Sequence, residues 1–264
     1  MVKMIQYPDY HDSLVCPGCL QKGSLSNGFF ICLTCNRKFK IIDGVPIFVN
    51  SSEEYIDKRG NTNPTNPYPQ KVIDLAVNNP DALILDFGAG CPRKEHMFNN
   101  ILRLDYEQYY NTHVVSTNRN LPFKSESFDH IVSLSVFEHV KDPWHYAQEC
   151  YRVLKHGGTI IVDTAFLQPE HSMPYHFYNM TLEGLKETFK MFKIIDLGVE
   201  PYQSAGTTMN LLSNTFISII EDGQKKAELE KILKQTDFAN YDKYISRNDK
   251  SKMAAGVYLR GIKE

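Results

Sequence analysis

The stretch Leu83-Ile84-Leu85-Asp86-Phe87-Gly88-Ala89-Gly90 is a short apolar run that contains one carboxylate and ends in a pair of glycines. An apolar run of this length predicts a buried strand, and a glycine predicts its end. Glycine has no Cβ, so the backbone of Gly88, Ala89 and Gly90 leaves room for a ligand to approach closely. The stretch therefore predicts a strand that leads directly into a ligand-binding loop.

Six further apolar runs of similar length follow, with helical patterns between several of them. They are residues 101–105, 113–116, 130–134, 159–163, 192–197 and 256–259. Strands that alternate with helices predict a mostly parallel sheet with helices on both faces. We therefore predict an α/β protein with a doubly wound, mostly parallel, seven-stranded sheet.

One helix is expected between the fourth and fifth runs. Asp142 is a favourable N-cap, Pro143 suits the first turn, and Gly157 is predicted to end the helix. Its apolar face is predicted to hold Trp144, Ala147, Tyr151 and Leu154.

Four of the six cysteines form two CxxC pairs near the N-terminus. The pairs are Cys16-Pro17-Gly18-Cys19 and Cys32-Leu33-Thr34-Cys35, with twelve residues between them. Each CxxC turn presents two thiolates on one side, and a tetrahedral zinc ion takes four. We therefore predict a structural zinc bound by Cys16, Cys19, Cys32 and Cys35.

Composition divides the chain into three parts. Residues 1–50 are expected to form a zinc ribbon, and residues 71–264 form the larger domain. Residues 51–70 contain three prolines and repeated asparagines, so they are expected to be a linker or a covering loop. On this division the larger domain is expected to bind its ligand even when Cys32→Ser unfolds the ribbon.

The overall composition is that of an ordinary globular protein. The formal net charge of −2 argues against a dedicated nucleic-acid-binding protein, which usually has a basic face. The longest apolar runs are far shorter than the ~20 residues of a membrane helix, and the first residues lack the apolar stretch of a secretory signal. A soluble, cytoplasmic protein is expected.

Asp105 ends the second strand, nineteen residues after Asp86. A carboxylate at this place accepts hydrogen bonds from the hydroxyls of a ribose. Arg93 stands where a dinucleotide site needs its third glycine, which disfavours a nicotinamide cofactor.

Three segments together carry a specific resemblance. LILDFGAG, LPFKSESFDHIVSLSVFEHVKDP and ECYRVLKHGGTIIVD occur in the order and spacing of class I S-adenosylmethionine-dependent methyltransferases of the small-molecule type. The resemblance implies the Rossmann-like methyltransferase fold with S-adenosylmethionine as cofactor. It implies that Asp86, Gly88, Ala89 and Gly90 flank the methionine part, Asp105 holds the ribose, Thr117 and Asn118 lie near the adenine, and Ser135, Val136 and Phe137 face the sulfonium.

The chain also departs from that family. Only residues 91–100 separate the glycine loop from the second strand, so the first helix is shortened, and no aspartate stands at the adenine position. The segment from Leu14 to Val49 resembles the zinc ribbons of methyltransferase activator subunits, and this resemblance implies that a protein partner can bind through the ribbon.

The loop after the fifth strand, residues 164–181, is rich in histidine and aromatic residues. Loops at the carboxyl ends of parallel strands line the ligand crevice. Histidine has a suitable pKa to accept a proton from an attacking hydroxyl, so His176 is predicted as the base and His139 as its reserve. A second metal site through His171 and His176 is not expected, because no third ligand is evident.

The predicted function is methyl transfer from S-adenosylmethionine to a small-molecule or glycan-type acceptor, at oxygen. Two alternatives remain open. Some ribosomal-RNA methyltransferases resemble this chain in having an N-terminal zinc ribbon, although the near-neutral charge disfavours an RNA base methyltransferase. The shortened helix and the absent adenine acid are compatible with a non-catalytic scaffold subunit.

Overall fold

The computed structural model describes residues 10–50, 53–61, 65–91, 98–171 and 175–264. Eleven of its strands form one sheet, and two short strands form a separate pair. The strands are β1 (Gly23–Ser26), β2 (Phe29–Cys32), β3 (Lys38–Ile42), β4 (Val45–Phe48), β5 (Ile56–Asp57), β6 (Ile84–Phe87), β7 (Ile101–Asp105), β8 (Glu107–Gln108), β9 (Val114–Ser116), β10 (Phe128–Leu134), β11 (Leu154–Ala165), β12 (Lys193–Gly198) and β13 (Gly256–Ile262). The helices are α1 (Gln70–Asn78), α2 (Pro143–Val153), α3 (Leu182–Thr188), α4 (Ala205–Ser218) and α5 (Gly223–Lys234).

The seven predicted strands are all present and lie in the order β9-β7-β6-β10-β11-β13-β12. The first five are parallel, and β13 runs antiparallel to both of its neighbours. The chain leaves β6 first toward β7 and β9, and later crosses to β10 on the other side. In such a sheet the ligand crevice lies at the carboxyl ends of the strands beside this reversal, here β6 and β10.

Residues 10–50, which hold the four clustered cysteines and are called the cysteine-bearing module below, are joined to this sheet. Strands β1 to β4 form an antiparallel meander, and β4 pairs in parallel with β9, Ile47 opposite Val115 and Phe48 opposite Ser116. An unpaired edge strand exposes its N–H and C=O groups, and β4 satisfies those of β9. The sequence analysis predicted a zinc ribbon over residues 1–50 but did not predict that its last strand pairs with the sheet of the larger domain.

Helices cover both faces of the sheet. On one face, α2 and α3 pack against the sheet through buried residues that include Ala147, Cys150 and Leu185. On the other face, Val72 and Ala76 of α1 pack in a smaller apolar cluster with strand residues of β6, β7, β10 and β11. In the described part of the chain, the connections from β6 to β7, from β7 to β9 and from β9 to β10 contain no helix. The segment before α1 reaches β6, where the Tyr68 hydroxyl contacts Asp86.

The helix expected after residue 142 is confirmed at its start and corrected at its end. Asp142 accepts a hydrogen bond from the His145 N–H (3.1 Å), and Pro143 is the first helical residue. The helix ends at Val153, and β11 begins immediately, so Gly157 lies within that strand at φ +76°. Of the predicted apolar face, Trp144 is 49% exposed, because the buried side of α2 follows Ala147, Cys150 and Val153.

No helix in the described residues is both long and apolar enough to cross a membrane.

Candidate functional site

The glycine loop after β6 is tightly packed. Gly88 has φ +78°, and a Cβ at this position would lie 2.3 Å from a methyl carbon of Val136. Gly90 has φ +57°, and its Cβ would lie 2.5 Å from the methyl carbon of Thr65. Both positions therefore require glycine for backbone conformation and for space. The side chains against the loop come from the β10–α2 connection and from the segment before α1.

Asp86 is buried and bound from the α1 face of the sheet. Its carboxylate accepts a hydrogen bond from the Tyr68 hydroxyl. Burial raises the pKa of Asp86 to about 6, and the nearby Tyr68 hydroxyl and Arg103 guanidinium oppose this shift. The segment that the sequence predicts as a linker or covering loop thus contributes a direct partner to the strand-end carboxylate.

Asp105 links the end of β7 to the glycine loop. Its Oδ2 accepts a hydrogen bond from the Gly90 N–H (2.7 Å), and its Oδ1 accepts one from the Glu107 N–H (3.0 Å). Only 4% of Asp105 is exposed, and burial raises its pKa to about 6. Each carboxylate oxygen has a second lone pair, so Asp105 can accept further hydrogen bonds from a ligand.

Thr117 and Asn118 follow β9 and hold the end of β4. The Thr117 N–H and the Asn118 Nδ2 both donate to the Phe48 carbonyl, at 3.1 and 2.7 Å. The Thr117 hydroxyl accepts a hydrogen bond from the Asn50 N–H (3.3 Å). The residues predicted to lie near an adenine are therefore among the residues that attach the cysteine-bearing module to the rest of the chain.

Ser135, Val136 and Phe137 form the turn after β10. Ser135 has φ +55°, and its N–H donates to Asp163 Oδ1 (2.8 Å). Phe137 is fully buried, and its ring centroid lies 6.1 Å from that of Phe87 in an edge-on arrangement. The turn thus sits directly beside the glycine loop at the carboxyl ends of β6 and β10.

The family comparison agrees with this geometry. Residues 94–162, which include β7, β9, β10, α2 and most of β11, match the family described as Methyltransferase domain. This part of the chain is similar to methyltransferase domains. The parallel strand order and the glycine loop after β6 are compatible with this match.

An uncharacterised protein of Methanocaldococcus jannaschii is 30% identical to this chain over 124 residues, a match that covers 44% of this chain and 60% of that protein. This chain therefore spans less than two thirds of that relative's length. Among solved structures, the [4+2]-cyclase SpnF is 18% identical, with 77% of this chain and 84% of that chain covered and a TM-score of 0.45. A Haloferax volcanii complex of the Trm112 methyltransferase activator with a methyltransferase is 17% identical, with 69% and 82% covered and a TM-score of 0.41.

Asp163 is a buried residue to which the sequence analysis assigned no role. It lies in β11 near its carboxyl end, and its Oδ2 accepts a hydrogen bond from the Tyr202 hydroxyl (2.7 Å). It is 4% exposed, and burial raises its pKa to about 6. The available signal was a carboxylate at the end of an apolar run, the same signal that marked Asp105.

The histidines of the loop after β11 lie together beside the turn after β10. His139 Nδ1 donates to the Tyr175 carbonyl (2.6 Å), which leaves its Nε2 as the nitrogen that can accept a proton. His176 Nδ1 accepts a hydrogen bond from the His171 N–H (3.2 Å), and its Nε2 lies 3.1 Å from the Tyr178 carbonyl. Because both ring nitrogens of His176 are engaged, this arrangement disfavours His176 as a base and favours its predicted reserve, His139.

The four cysteines of the N-terminal module converge as their spacing predicts. The Sγ atoms of Cys16 and Cys35 are 3.6 Å apart, those of Cys19 and Cys32 are 3.5 Å apart, and those of Cys19 and Cys35 are 3.6 Å apart. Four thiolates around one zinc at ~2.3 Å have sulfur–sulfur separations of about 3.8 Å. All four thiols are free of disulfide bonds, so the cluster has the composition and spacing of a tetrahedral metal site.

Proposed function

We propose that this protein transfers a methyl group from S-adenosylmethionine to a hydroxyl oxygen of a small-molecule or glycan-type acceptor. The observation that carries the proposal is the set of buried carboxylates near the carboxyl ends of β6, β7 and β11, the edge at which such a sheet binds its ligand.

These carboxylates suit a positively charged cofactor. Asp86, Asp105 and Asp163 are each at most 4% exposed, and burial raises the pKa of each to about 6. A cation bound nearby favours the ionised form of a buried carboxyl group and offsets part of its desolvation cost. S-adenosylmethionine supplies an electrophilic methyl group on a positively charged sulfur. The charge of the crevice therefore fits this cofactor.

The remaining cofactor contacts follow from the family resemblance. Asp105 accepts hydrogen bonds from the ribose while it orients the Gly90 N–H. Asp86 and the loop of Gly88, Ala89 and Gly90 flank the methionine part. The Val136 side chain lies against Gly88 and is therefore next to this part of the proposed site.

Two further segments complete this proposed contact set. In the proposed complex, Thr117 and Asn118 lie beside the adenine of the cofactor, and the Ser135–Phe137 turn lies beside its sulfonium. The first pair is anchored to Phe48, so the β4 strand supports the adenine end.

The acceptor side is formed by the loop after β11. Tyr175 is 63% exposed and Phe177 is 41% exposed, and the Trp144 ring stands edge-on to Tyr178 with centroids 5.7 Å apart. Exposed aromatic faces grouped beside a crevice suit a sugar ring or a planar acceptor. His139 is the histidine placed to assist the loss of the acceptor proton as its oxygen attacks.

We propose in addition that the four-cysteine cluster binds one structural zinc ion. Four thiolate ligands leave no open coordination position, so this zinc stabilises the module and takes no part in chemistry. A protein partner that binds through the exposed side of this module remains part of the proposal.

Calorimetric titration of the full chain with S-adenosylmethionine, S-adenosylhomocysteine and NAD⁺ tests the proposed cofactor. We expect one binding site for each of the first two ligands and none for NAD⁺. A chain that binds neither sulfur ligand would favour a second candidate, a non-catalytic scaffold subunit. The observation in favour of that candidate is the packing of Val136 and Thr65 against the glycine loop.

A further inference from the structure

Glu138, His139 and His171 form a cluster of potential metal ligands outside the cysteine-bearing module. One ligand atom of each residue lies within 4.8 Å of the others. The rings of His139 and His171 have centroids 5.0 Å apart. The cluster joins the turn after β10 to the loop after β11, so it lies at the carboxyl ends of two neighbouring strands and beside the proposed transfer crevice.

Hydrogen bonds fix both histidine rings in the form that binds metals. His139 Nδ1 lies 2.6 Å from the Tyr175 carbonyl oxygen, and His171 Nδ1 lies 3.1 Å from the Pro169 carbonyl oxygen. A carbonyl oxygen only accepts, so each Nδ1 carries the proton and each Nε2 keeps its lone pair. Metal-binding histidines commonly donate their other ring N–H to a backbone carbonyl in this way.

Glu138 is the carboxylate of the cluster and is 1% exposed. Its Oε2 accepts a hydrogen bond from the Thr164 hydroxyl (2.8 Å), which orients the carboxylate. Among the described residues, no lysine or arginine forms an ion pair with Glu138. A buried carboxylate without a cationic partner is costly, and a bound metal cation offsets that cost.

We propose that Glu138, His139 and His171 bind one divalent first-row transition-metal ion. Two imidazoles and one carboxylate are a ligand set that leaves several coordination positions open. Ligand atoms that share one metal at ~2.1 Å lie about 3.0 to 3.4 Å apart, so each pair of ligand atoms has to approach by no more than about 2 Å on binding. The sequence analysis found no third ligand for such a site because Glu138 and His139 are more than thirty residues from His171 in the chain.

His176 supports this site without being a ligand. Its Nδ1 accepts a hydrogen bond from the His171 N–H, and its ring centroid lies 4.4 Å from that of His171. His176 therefore positions the backbone and the ring of one metal ligand.

The role of the metal rests on the proposed function. With the metal bound, the Nε2 lone pair of His139 is a metal ligand and no longer accepts the acceptor proton, so the ion takes over the role given to His139 in the metal-free site. An acceptor hydroxyl that coordinates the ion has a lowered pKa and releases its proton to solvent water. The oxygen lone pair then forms the new O–C bond to the methyl carbon, the C–S bond breaks, and its electron pair returns to sulfur. The site thus favours acceptors with two neighbouring hydroxyl groups, which occupy two open coordination positions.

Titration of the full chain with Mn²⁺, followed by electron paramagnetic resonance of the free ion, tests the site. Mn²⁺ prefers oxygen and nitrogen ligands to thiolates, so the four cysteines do not compete for it. We expect one Mn²⁺ per chain for the wild-type protein. We expect His171→Ala and His139→Ala each to raise the Kd at least about tenfold.

Two further variants keep the test independent of folding. His156→Ala removes an exposed histidine of β11 and is expected to bind Mn²⁺ like the wild type. Glu138→Gln keeps the size of the side chain and is expected to lose affinity as the histidine variants do. The proposal is overturned if the wild type binds no Mn²⁺, or if His171→Ala and His139→Ala both bind it with unchanged Kd.

Cofactor titration separates this inference from the proposed function. If Mn²⁺ fails to bind while S-adenosylmethionine binds, the metal site is wrong and the proposed cofactor stands. If Mn²⁺ binds and S-adenosylmethionine does not, the metal site stands and its role in methyl transfer is wrong.

Discussion

Asp105 shows how one side chain serves both the backbone and a ligand. Its two oxygens hold the N–H groups of Gly90 and Glu107, which fixes the glycine loop relative to β7. The same oxygens have lone pairs left for the ribose. In the proposed site, the charge of this residue acts on the cofactor directly and also through the glycine loop that it orients.

Asp105→Asn is expected to lower the affinity for S-adenosylmethionine and S-adenosylhomocysteine by about tenfold to a hundredfold. The reason is the loss of charge-assisted hydrogen bonds, each worth about 1.5–3 kcal/mol. Calorimetry measures the effect, with Glu183→Gln on the exposed face of α3 as the matched control. Equal affinities in both variants would mean that the ribose is held elsewhere.

Gly88→Ala is expected to lower the thermal stability of the protein. A side chain at φ +78° costs about 1–2 kcal/mol, and the added methyl group overlaps Val136. Val136→Ala removes the overlap but leaves the backbone strain at residue 88. Gly88→Ala is therefore expected to lower the melting temperature less in the Val136→Ala background than in the wild type, although still measurably. Thermal unfolding of all four proteins checks this, and a Gly88→Ala protein with the wild-type melting temperature would contradict it.

At the scale of the elements, the pairing of β4 with β9 is the feature with the largest consequence. It makes the cysteine-bearing module a continuation of the sheet. The Phe48 carbonyl at the end of β4 receives hydrogen bonds from Thr117 and Asn118, the proposed adenine contacts. Loss of the module therefore removes the support of one end of the cofactor site.

Cys32→Ser is expected to weaken cofactor binding as well as to unfold the module. This differs from the expectation drawn from the sequence alone, because the sequence does not show that β4 pairs with β9. Zinc content by elemental analysis and S-adenosylmethionine affinity by calorimetry are measured on the same preparation. A zinc-free variant with undiminished affinity would show that the larger domain is autonomous.

Replacement of a cysteine outside the two CxxC pairs provides the control for the zinc content of Cys32→Ser. Cys91→Ser changes a buried thiol that does not belong to the four-cysteine cluster. This variant is expected to keep its zinc.

On the scale of the whole molecule, three strands each carry a buried carboxylate near the carboxyl end, where the proposed cofactor site lies. Such an arrangement links cofactor binding to pH. Burial raises the pKa of Asp86, Asp105 and Asp163 to about 6, so these groups are mostly protonated at pH 5 and mostly ionised at pH 7.

The affinity for S-adenosylmethionine is expected to rise between about pH 5 and pH 7 and to level off above. A cationic ligand favours ionised carboxylates, so binding releases protons, and affinity increases as the pH passes upward through about 6. Calorimetry in buffers of different ionisation enthalpy measures both the affinity and the released protons. Asp105→Asn is expected to give a shallower slope, whereas a flat profile for the wild type would contradict the linkage.

The sequence by itself determined the seven strands from β6 to β13 that form the main part of the sheet, and it gave the four cysteines a spacing typical of metal ligands. The seven apolar runs are all strands because each is long enough to be buried and is stopped by turn residues. Local signals also placed the start of α2, since an N-cap and a proline act within one turn. The glycine loop was recognisable for the same reason, because the need for a residue without Cβ is local.

Only the tertiary structure decided which distant groups meet. The union of β4 with β9, the contact of Tyr68 with Asp86 and the assembly of Glu138, His139 and His171 all join residues far apart in the chain. Whether a ring nitrogen of His176 can accept a proton depends on its hydrogen bonds to nearby backbone groups, and the sequence does not show these hydrogen bonds. Sequence patterns report burial and turns, whereas proton-accepting atoms and metal ligands are selected by hydrogen-bond partners that only the folded chain brings together.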